Sequence, residues 1–348
     1  MIDTIKIYTQ IDKSTYDYMT KKSNVKTMVN KETGEVFYEI VQDSLKGSYD
    51  SNFMVRLSVG TKYNFIDSYC IELEGSYHKM MLGHNAYDGF YDVKDICKNL
   101  IKLVEEKYNI ILPGIENWFL QRVDITLTFD LEDNSKVCRY INNLNLLSYP
   151  RRDIKLYKDE CLYVPGKQTT LKIYNKILEF NKHDKDKLNK CGFNLFEFIC
   201  KIKGFIRFEC EIKKQKLISI YEKKHINVEN VNYEDLKKIW SDEFMKLLKF
   251  KNNDENMEKL NSVEKVKEVL YKKFKTCKAN RLYNFFISVV SLGYDNMKNN
   301  TSSSSFYRNV SELKEIGVDF SQSCFEDVIK LDFDNVVDFN PFTFKEVV

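Results

Sequence analysis

The amino-acid sequence predicts an α+β fold: a largely antiparallel central sheet with flanking helices, followed by an all-helical C-terminal region. Three observations predict it. Short segments with alternating apolar and polar residues, as in half-buried strands, fill most of the first 215 or so residues. Two helical patterns interrupt these segments. After about residue 217, apolar residues recur at helical spacing, so we expect an α+β domain over 1–217 and a helical domain over 218–348.

The predicted strands are short, and their alternation is the main evidence for them. They cover 4–11, 36–41, 53–59, 69–73, 123–129, 162–164, 171–174 and 206–212. The two helical patterns cover 93–108 and 135–146, and Asp133 or Asn134 is a plausible cap for the second. Pro165 and Gly166 separate two of the strands, which indicates a hairpin.

The C-terminal region shows helical periodicity at 233–249, 263–274 and 279–292. A serine-rich turn then precedes a further helix that ends at Gly317, for which Ser304 or Ser305 is a candidate cap. This pair of helices resembles a helix-turn-helix, although two helices that complete a bundle fit the pattern equally well. The last helix is expected to present four side chains outward: Tyr307, Arg308, Ser311 and Lys314.

Composition limits the class of protein. The nine cysteines are scattered without a CxxC pair or metal-finger spacing, so we expect reduced thiols and a cytoplasmic location. No uncharged apolar run reaches the ~18 residues of a membrane span, and no signal peptide is recognisable, so a soluble, non-exported protein is expected. Residues 151–216 contain 17 Lys and Arg against 9 Asp and Glu, which indicates either phosphate-bearing partners or a solvated surface.

Three of the predicted strands carry ionisable side chains on one face and apolar side chains on the other, because strand side chains alternate. The segment RVDITLTFD begins at residue 122, TLKIYNK at 170 and IRFECEIK at 206. Their polar faces contain Arg122, Asp124, Thr126, Thr128, Asp130, Lys172, Tyr174, Lys176, Arg207, Glu209 and Glu211.

If these strands share a sheet, their polar sides form one surface with the groups that phosphoryl transfer needs. Carboxylates hold a divalent metal, and a positive side chain stabilises the charge of the transition state. A tyrosine has a pKa of ~10, so a nearby lysine or metal would be needed to favour its phenolate. A solvent-facing sheet surface with cross-strand ion pairs is the alternative interpretation.

His84 lies in a Gly-His-Asn loop after an apolar segment, in a chain with four histidines. A lone histidine is either a structural residue or a metal ligand. No His-x-His pair is present, so a two-histidine metal motif is absent from the sequence.

With these residues identified, the chain resembles the gene II replication proteins of filamentous bacteriophages, the phage gene II/X replication family. The likeness is collinear and covers most of the chain, and the order and spacing of the matching segments carry it. These segments are MID at 1–3, KMMLGHN at 79–85, RVD at 122–124, TLKIYNK at 170–176, IRFECEIK at 206–213, ANRLYNFFISVVSLGYD at 279–295 and SSFYRNVSELKEIGV at 304–318.

The resemblance implies a site-specific, metal-dependent nicking and joining enzyme that starts rolling-circle replication. Its nucleophilic tyrosine carries over to Tyr174 and its lysine to Lys176. Tyr174 would attack a phosphodiester at the origin, remain bonded to the 5′ phosphate and release a 3′ hydroxyl. Origin DNA, double-stranded and single-stranded, is the implied partner, with a host helicase and polymerase as further candidates.

The other site assignments combine residue chemistry with position in the matching segments. Asp124, Glu209 and His84 are the candidate ligands for Mg²⁺ or Mn²⁺. The candidate DNA contacts are Arg122, Lys172, Arg207, Tyr307, Arg308 and Lys314.

Two other functions remain open from the sequence. One is a non-catalytic DNA-binding protein that uses the basic middle segment and the C-terminal helices. The other is a metal phosphodiesterase that uses water and never becomes attached to DNA. Tyr157 or Tyr163 could also take part as a second tyrosine.

Overall fold

A computed structural model of the chain describes residues 1–60, 68–87, 89–144, 147, 149–158, 160–248, 263–318 and 320. A large antiparallel sheet with helices packed on it is followed by a helical region, so the predicted fold class is confirmed. The ends of two predicted helices, at 145–146 and 249, lie outside the described residues. So do residues 321–348 of the predicted helical domain.

The described strands all belong to one sheet. In chain order they are β1 Ile2–Ile11, β2 Asn24–Val29, β3 Val36–Lys46, β4 Asn52–Val59, β5 Tyr69–Ser76, β6 Phe119–Asp130, β7 Lys155–Tyr157, β8 Cys161–Val164, β9 Thr169–Asn175, β10 Phe205–Lys213 and β11 Ile226–Asn227. Across the sheet the order is β2-β3-β4-β5-β1-β6-β10-β9-β8-β7, and β11 pairs with β6. The predicted hairpin is confirmed, because Val164 of β8 pairs with Leu171 of β9.

Helices cover both faces of this sheet and form the C-terminal region. They are α1 Lys13–Lys22, α2 Tyr77–Leu82, α3 Val93–Tyr108, α4 Asn134–Leu144, α5 Lys176–His183, α6 Lys185–Lys190, α7 Leu195–Ile202, α8 Lys214–Tyr221, α9 Tyr233–Leu248, α10 Val263–Lys273, α11 Thr276–Leu292, α12 Tyr294–Asn300 and α13 Ser303–Lys314. Helix α3 has the predicted bounds. Asp133, one of the two predicted caps, accepts a backbone hydrogen bond from Ser135 at the start of α4.

The main hydrophobic core lies on the apolar face of the sheet. Inward residues of the central strands, such as Val123 and Phe208, pack there against apolar stripes of α3, α4, α8 and α9. A smaller apolar cluster lies on the opposite face and contains Phe180 of α5, Phe198 of α7 and Phe205 of β10. This second layer covers the part of the polar face that carries the candidate site.

The division between the cores does not coincide with the predicted boundary at residue 217. Helix α9 follows that boundary, yet Trp240 and Phe244 are buried in the main core. The helical core begins later, with Val266 of α10, and also includes residues of α11 and α13. Alternation and helical spacing identify an element, but they do not indicate which core it joins.

The last helix differs from its prediction at one end. Helix α13 begins at Ser303 with Ser302 at the cap position, so neither Ser304 nor Ser305 caps it. Its predicted outward residues are all at least partly exposed, and it is followed by Gly317, whose φ is 92°. None of the helices in the described ranges combines the length and the apolar composition of a membrane span.

Candidate active site on the polar face of the sheet

The three polar strand faces recognised in the sequence lie on one side of the sheet, on adjacent strands. Strand β10 lies between β6 and β9. Glu209 is opposite Lys172 on β9 and Thr126 on β6, while Arg207 is opposite Tyr174. Asp124 is opposite Glu211, one step along the same face. The strand register therefore brings the predicted tyrosine and both predicted carboxylates onto a single surface.

Tyr174 and Glu209 are in direct contact. The Tyr174 hydroxyl donates a hydrogen bond to Glu209 Oε2 at 3.1 Å, and Lys172 Nζ donates to Glu209 Oε1 at 2.7 Å. Tyr174 is only 9% exposed. Burial, reinforced by the negative charge of Glu209, raises the pKa of Tyr174 well above its usual value. The phenol is therefore protonated at neutral pH and has a carboxylate as its hydrogen-bond acceptor.

The positive charge beside Tyr174 comes from Arg207. Its side chain is fully buried, and its Nε donates a hydrogen bond to Thr128 Oγ1 at 3.1 Å. Arg207 acts against the upward shift of the Tyr174 pKa, since a cation favours the phenolate. The sequence suggested Arg207 as a DNA contact, but its burial places it beneath the site rather than at the protein surface.

Asp124 is held by Arg122 through two hydrogen bonds. Arg122 Nε and Nη2 donate to the two carboxylate oxygens at 2.8 and 2.5 Å. Burial, supported by the neighbouring Glu209 and opposed by Arg122, raises the pKa of Asp124 to about 7. Arg122 also lies 3.6 Å from Glu211 and 3.8 Å from Glu74, so it serves several carboxylates at once.

Lys176 is not part of the strand, contrary to the alternation that placed it on the polar face with Tyr174. Strand β9 ends at Asn175, whose side chain caps α5, and Lys176 is the first residue of that helix. Its buried ammonium donates to Asn85 Oδ1 at 2.6 Å and to Glu179. Burial lowers the pKa of Lys176 to about 8, with further lowering by Arg207 and partial compensation by Glu179.

Several polar residues under the site were not recognised in the sequence. Asp3 of β1 accepts hydrogen bonds from Ser76 at 2.5 Å and from Asn85 at 2.8 Å. Although Asp3 is buried, the cations around it, with Arg207 the strongest, lower its pKa. Lys79 of α2 forms ion pairs with Glu179 and Asp184. Asn85 lies in the KMMLGHN segment of the resemblance, which was the available signal for this network.

His84 lies in an aromatic environment. Its ring packs against Phe198 with centroids 4.7 Å apart, and also contacts Tyr87 and Phe193. Burial lowers the pKa of His84 well below its usual value, and the nearby His78 lowers it further. The imidazole is therefore neutral at ordinary pH. Its ring packs against the covering layer and not against Asp124 or Glu209.

A cavity of about 310 Å³ gives access to Tyr174. Lys172, Tyr174 and Glu209 line it from the sheet, and Asn175, Glu179 and Lys182 line it from the start of α5 and beyond. Its volume is at the small end of the range for ligand pockets. A tyrosine, two lysines and three glutamates, Glu160, Glu179 and Glu209, thus line a space large enough for one phosphate group.

The carboxylates give this site part of a metal-binding set. Within the described ranges, no three His, Cys, Asp or Glu side chains are grouped so that they could hold a metal ion. Asp124 and Glu209 do interact, since the charge of Glu209 raises the pKa of Asp124. Mg²⁺ is commonly held by one or two carboxylates, with water and substrate phosphates completing its shell, so this donor pair fits such an ion.

The remaining predicted DNA contacts lie far along the chain, on α13. Tyr307, Arg308 and Lys314 are exposed, and Tyr307 keeps 53% of its surface accessible. The opposite side of α13 packs into the helical core through Phe306 and Leu313. The helix therefore presents an aromatic and basic face to solvent.

The fold and site together define an α+β protein with a buried, charge-rich pocket on one face of its sheet and a helical region after it. Residues 1–235 match the family model for the N-terminal part of the gene II replication-associated protein, and residues 252–340 match the model for its C-terminal part. The chain belongs to this family of replication-associated proteins, which is the filamentous phage gene II replication family. No curated protein matches the chain.

Proposed function

We propose that this replication-associated protein is an initiator that nicks and rejoins one strand of origin DNA, with Tyr174 as the nucleophile. One observation carries the proposal: the Tyr174 hydroxyl donates a hydrogen bond to Glu209 inside an accessible cavity. Membership of the gene II family supports a role at the start of replication. The nicking chemistry and the covalent intermediate are the parts that we add.

The first step is attack of the Tyr174 oxygen on a phosphodiester phosphorus. Because burial raises the pKa of this phenol, it needs a base, and Glu209 takes the proton as the new P–O bond forms. The bond between phosphorus and the 3′ oxygen breaks, and that oxygen takes a proton from water. The 5′ phosphate stays on Tyr174. A later attack by a 3′ hydroxyl reverses these changes and reseals the strand without ATP.

Positive side chains around the pocket stabilise the negative charge that develops on the phosphate. Lys172 is 30% exposed and points its ammonium at Glu209, from which it can reach a phosphate oxygen. Arg207 supplies a fixed charge behind Tyr174. Lys176, the lysine implied by the resemblance, acts from below, where it positions Asn85 and Glu179.

A divalent ion, Mg²⁺ or Mn²⁺, is part of this proposal. Asp124 and Glu209 would hold it. When bound, it would polarise the phosphate and balance the two carboxylate charges. His84 is not needed in this set, because its ring packs among the aromatic residues of the covering layer. Arg122 and Lys172 neutralise the same carboxylates in the ion-free protein.

The proposal is tested by incubating the purified protein with Mg²⁺ and labelled origin DNA and running a denaturing gel. We expect a denaturant-stable protein–DNA adduct that Tyr174→Phe abolishes. DNA binding should stay within about a factor of a few, since one hydroxyl contributes only ~1 kcal/mol. Tyr140→Phe is the matched control: Tyr140 is also buried, but it lies in the main core and its hydroxyl has no hydrogen-bond partner among the residues that the structure describes.

The same gel separates the other candidate functions. Cleaved DNA without an adduct would identify a phosphodiesterase that uses water. Salt-sensitive binding without any cleavage, under either metal, would identify a non-catalytic DNA-binding protein. Either result contradicts the proposal.

A further inference from the structure

Two tyrosines lie beside the site on the outer strands of the sheet. In the strand register, Tyr157 of β7 is opposite Cys161 of β8, and Cys161 is opposite Tyr174. In the neighbouring row, Lys155 is opposite Tyr163, which is opposite Lys172. Residues that face each other across antiparallel strands share a face of the sheet. Tyr157 and Tyr163 therefore lie on the same face as the candidate nucleophile.

The rings of these tyrosines are adjacent and accessible. Their centroids are 6.3 Å apart with the ring planes inclined at 57°, and Tyr157 is 52% exposed. Tyr157 is two strands away from Tyr174, a distance of about 10 Å at ~4.8 Å per strand. The other side of this edge is apolar, because Leu156 and Leu162 face the main core.

Exposed lysines lie beside the two rings. Lys155, which is opposite Tyr163 in the strand register, and Lys158 are both exposed, while residues 151–160 as a whole contain four Lys and Arg against three Asp and Glu. The surface continues into the pocket through Cys161 and Lys172, which line it. Aromatic rings beside exposed lysines suit single-stranded nucleic acid, since bases stack on the rings while the lysines neutralise phosphates. Paired bases of a duplex do not offer their faces in this way.

We infer that Tyr157 and Tyr163 form a stacking platform for unpaired bases of the strand that enters the Tyr174 pocket, with Lys155 contacting its backbone. This inference rests on the proposed function, because it deepens the account of that same site. It assigns the two tyrosines to substrate binding and not to nucleophilic attack. It also requires that the origin is locally single-stranded when it reaches the pocket.

The inference is tested by measuring how tightly the protein binds a labelled single-stranded oligonucleotide that lacks the origin sequence. Fluorescence anisotropy measures this binding. The protein carries Tyr174→Phe and no metal is added, so the result is independent of any cleavage. We expect Tyr157→Ala and Tyr163→Ala each to weaken binding about 5-fold to 150-fold, the range for removal of one stacking ring. Tyr157→Phe and Tyr163→Phe keep the ring and should bind within about twofold of the parent.

Tyr18→Ala is the control, since Tyr18 is 38% exposed on α1 and donates a hydrogen bond to Tyr108 of α3, on the opposite side of the sheet. It should leave binding unchanged. Lys155→Ala should lower the salt dependence by the contribution of about one phosphate contact, a slope change of ~0.7. Thermal melting confirms that each variant is folded.

Three results would overturn the inference. The first is equal single-strand binding by the alanine variants and the parent. The second is an equal loss for phenylalanine and alanine at either position, because the hydroxyl and not the ring would then matter. The third is an equal loss on single-stranded DNA and on a duplex of the same sequence. A protein that forms no adduct but passes the binding test keeps the platform and loses the nicking proposal.

Discussion

The two faces of strands β6, β9 and β10 are both largely covered but chemically opposite. On one face, Val123 and Phe208 are 0% exposed within the main core. On the other, Asp124 is 1% exposed and Arg207 is 0% exposed. Antiparallel sheets commonly leave their polar face in water. Here α2, α5 and α7 cover it, so charged groups that would otherwise be solvated have to neutralise one another.

This difference predicts how each face responds to change. On the apolar face a truncation leaves a cavity, whose cost depends on volume. On the polar face a substitution leaves a charge without its partner, and the shifted pKa values show how strongly these charges interact. Single substitutions on the polar face are therefore expected to change the rate of adduct formation and the free energy of unfolding to different extents. The predictions below follow in order of expected effect.

Glu209→Gln removes the proposed proton acceptor of Tyr174 and one of the two proposed metal ligands. We expect adduct formation to slow about 10²- to 10⁴-fold, the usual contribution of a positioned base. Glu211→Gln is the control, because Glu211 lies on the same strand and face but is paired with Arg122 and Lys213. Its rate should stay within about threefold of the parent. Equal losses in initial rate for both variants would remove Glu209 from its proposed role.

Lys176→Met and Lys172→Met compare a buried lysine with a partly exposed one. Lys176 is 0% exposed and forms an ion pair with Glu179, which keeps Lys79 as a second partner in the variant. We therefore expect Lys176→Met to lower the free energy of unfolding by about 3 kcal/mol. Lys172 is 30% exposed, so screening by solvent limits its loss to about 1 kcal/mol or less. Urea unfolding measures both. Similar urea midpoints for the two variants would mean that Lys176 is about as well solvated as Lys172, which would contradict its burial.

Asp124→Asn should change how stability depends on pH. The pKa of Asp124 is about 7 in the folded protein, against about 3.9 in an unfolded chain. Between these values the folded state binds more protons, so this group makes the free energy of unfolding fall as pH rises. The free energy of unfolding of the asparagine variant should therefore rise relative to that of the parent between pH 4 and pH 7, by up to ~1.4 kcal/mol per pH unit. Parallel stability curves would contradict the raised pKa.

Arg308→Ala and Lys314→Ala test the exposed face of α13 as a DNA contact. If each side chain neutralises one phosphate, each variant should lower the slope of log affinity against log salt on duplex DNA by ~0.9. Lys272→Ala, an exposed lysine on α10, should leave the slope unchanged. Unchanged slopes for the α13 variants would restrict DNA binding to the sheet domain.

Local patterns predicted the site residues better than their surroundings. Alternation placed Asp124, Glu209 and Tyr174 on polar faces correctly, because a half-buried strand shows its period in a few residues. It failed at Lys176, where an Asn175 cap ends the strand and starts a helix. Asn175 is a typical helix cap and could have indicated the start of α5, but the apolar-polar alternation continues past it to Lys176.

Other features had no local signal. Strand β2 was not predicted because all six of its residues are exposed, so nothing in it alternates. The contact between Asp3 and Asn85 joins residues 82 positions apart, and although Asn85 lies in a segment of the family resemblance, no local pattern pairs it with Asp3. The place of α9 in the main core depends on tertiary packing. Such features arise from long-range contacts, which one sequence does not specify.

The central claim is that Tyr174 carries the DNA, and tryptic mapping of the purified adduct tests it most directly. Cleavage after Lys and Arg places the three tyrosines of this face in separate peptides: LYK for Tyr157, DECLYVPGK for Tyr163 and IYNK for Tyr174. After nuclease digestion, mass spectrometry should find the residual nucleotide on IYNK. A nucleotide on either of the other two peptides would contradict the account.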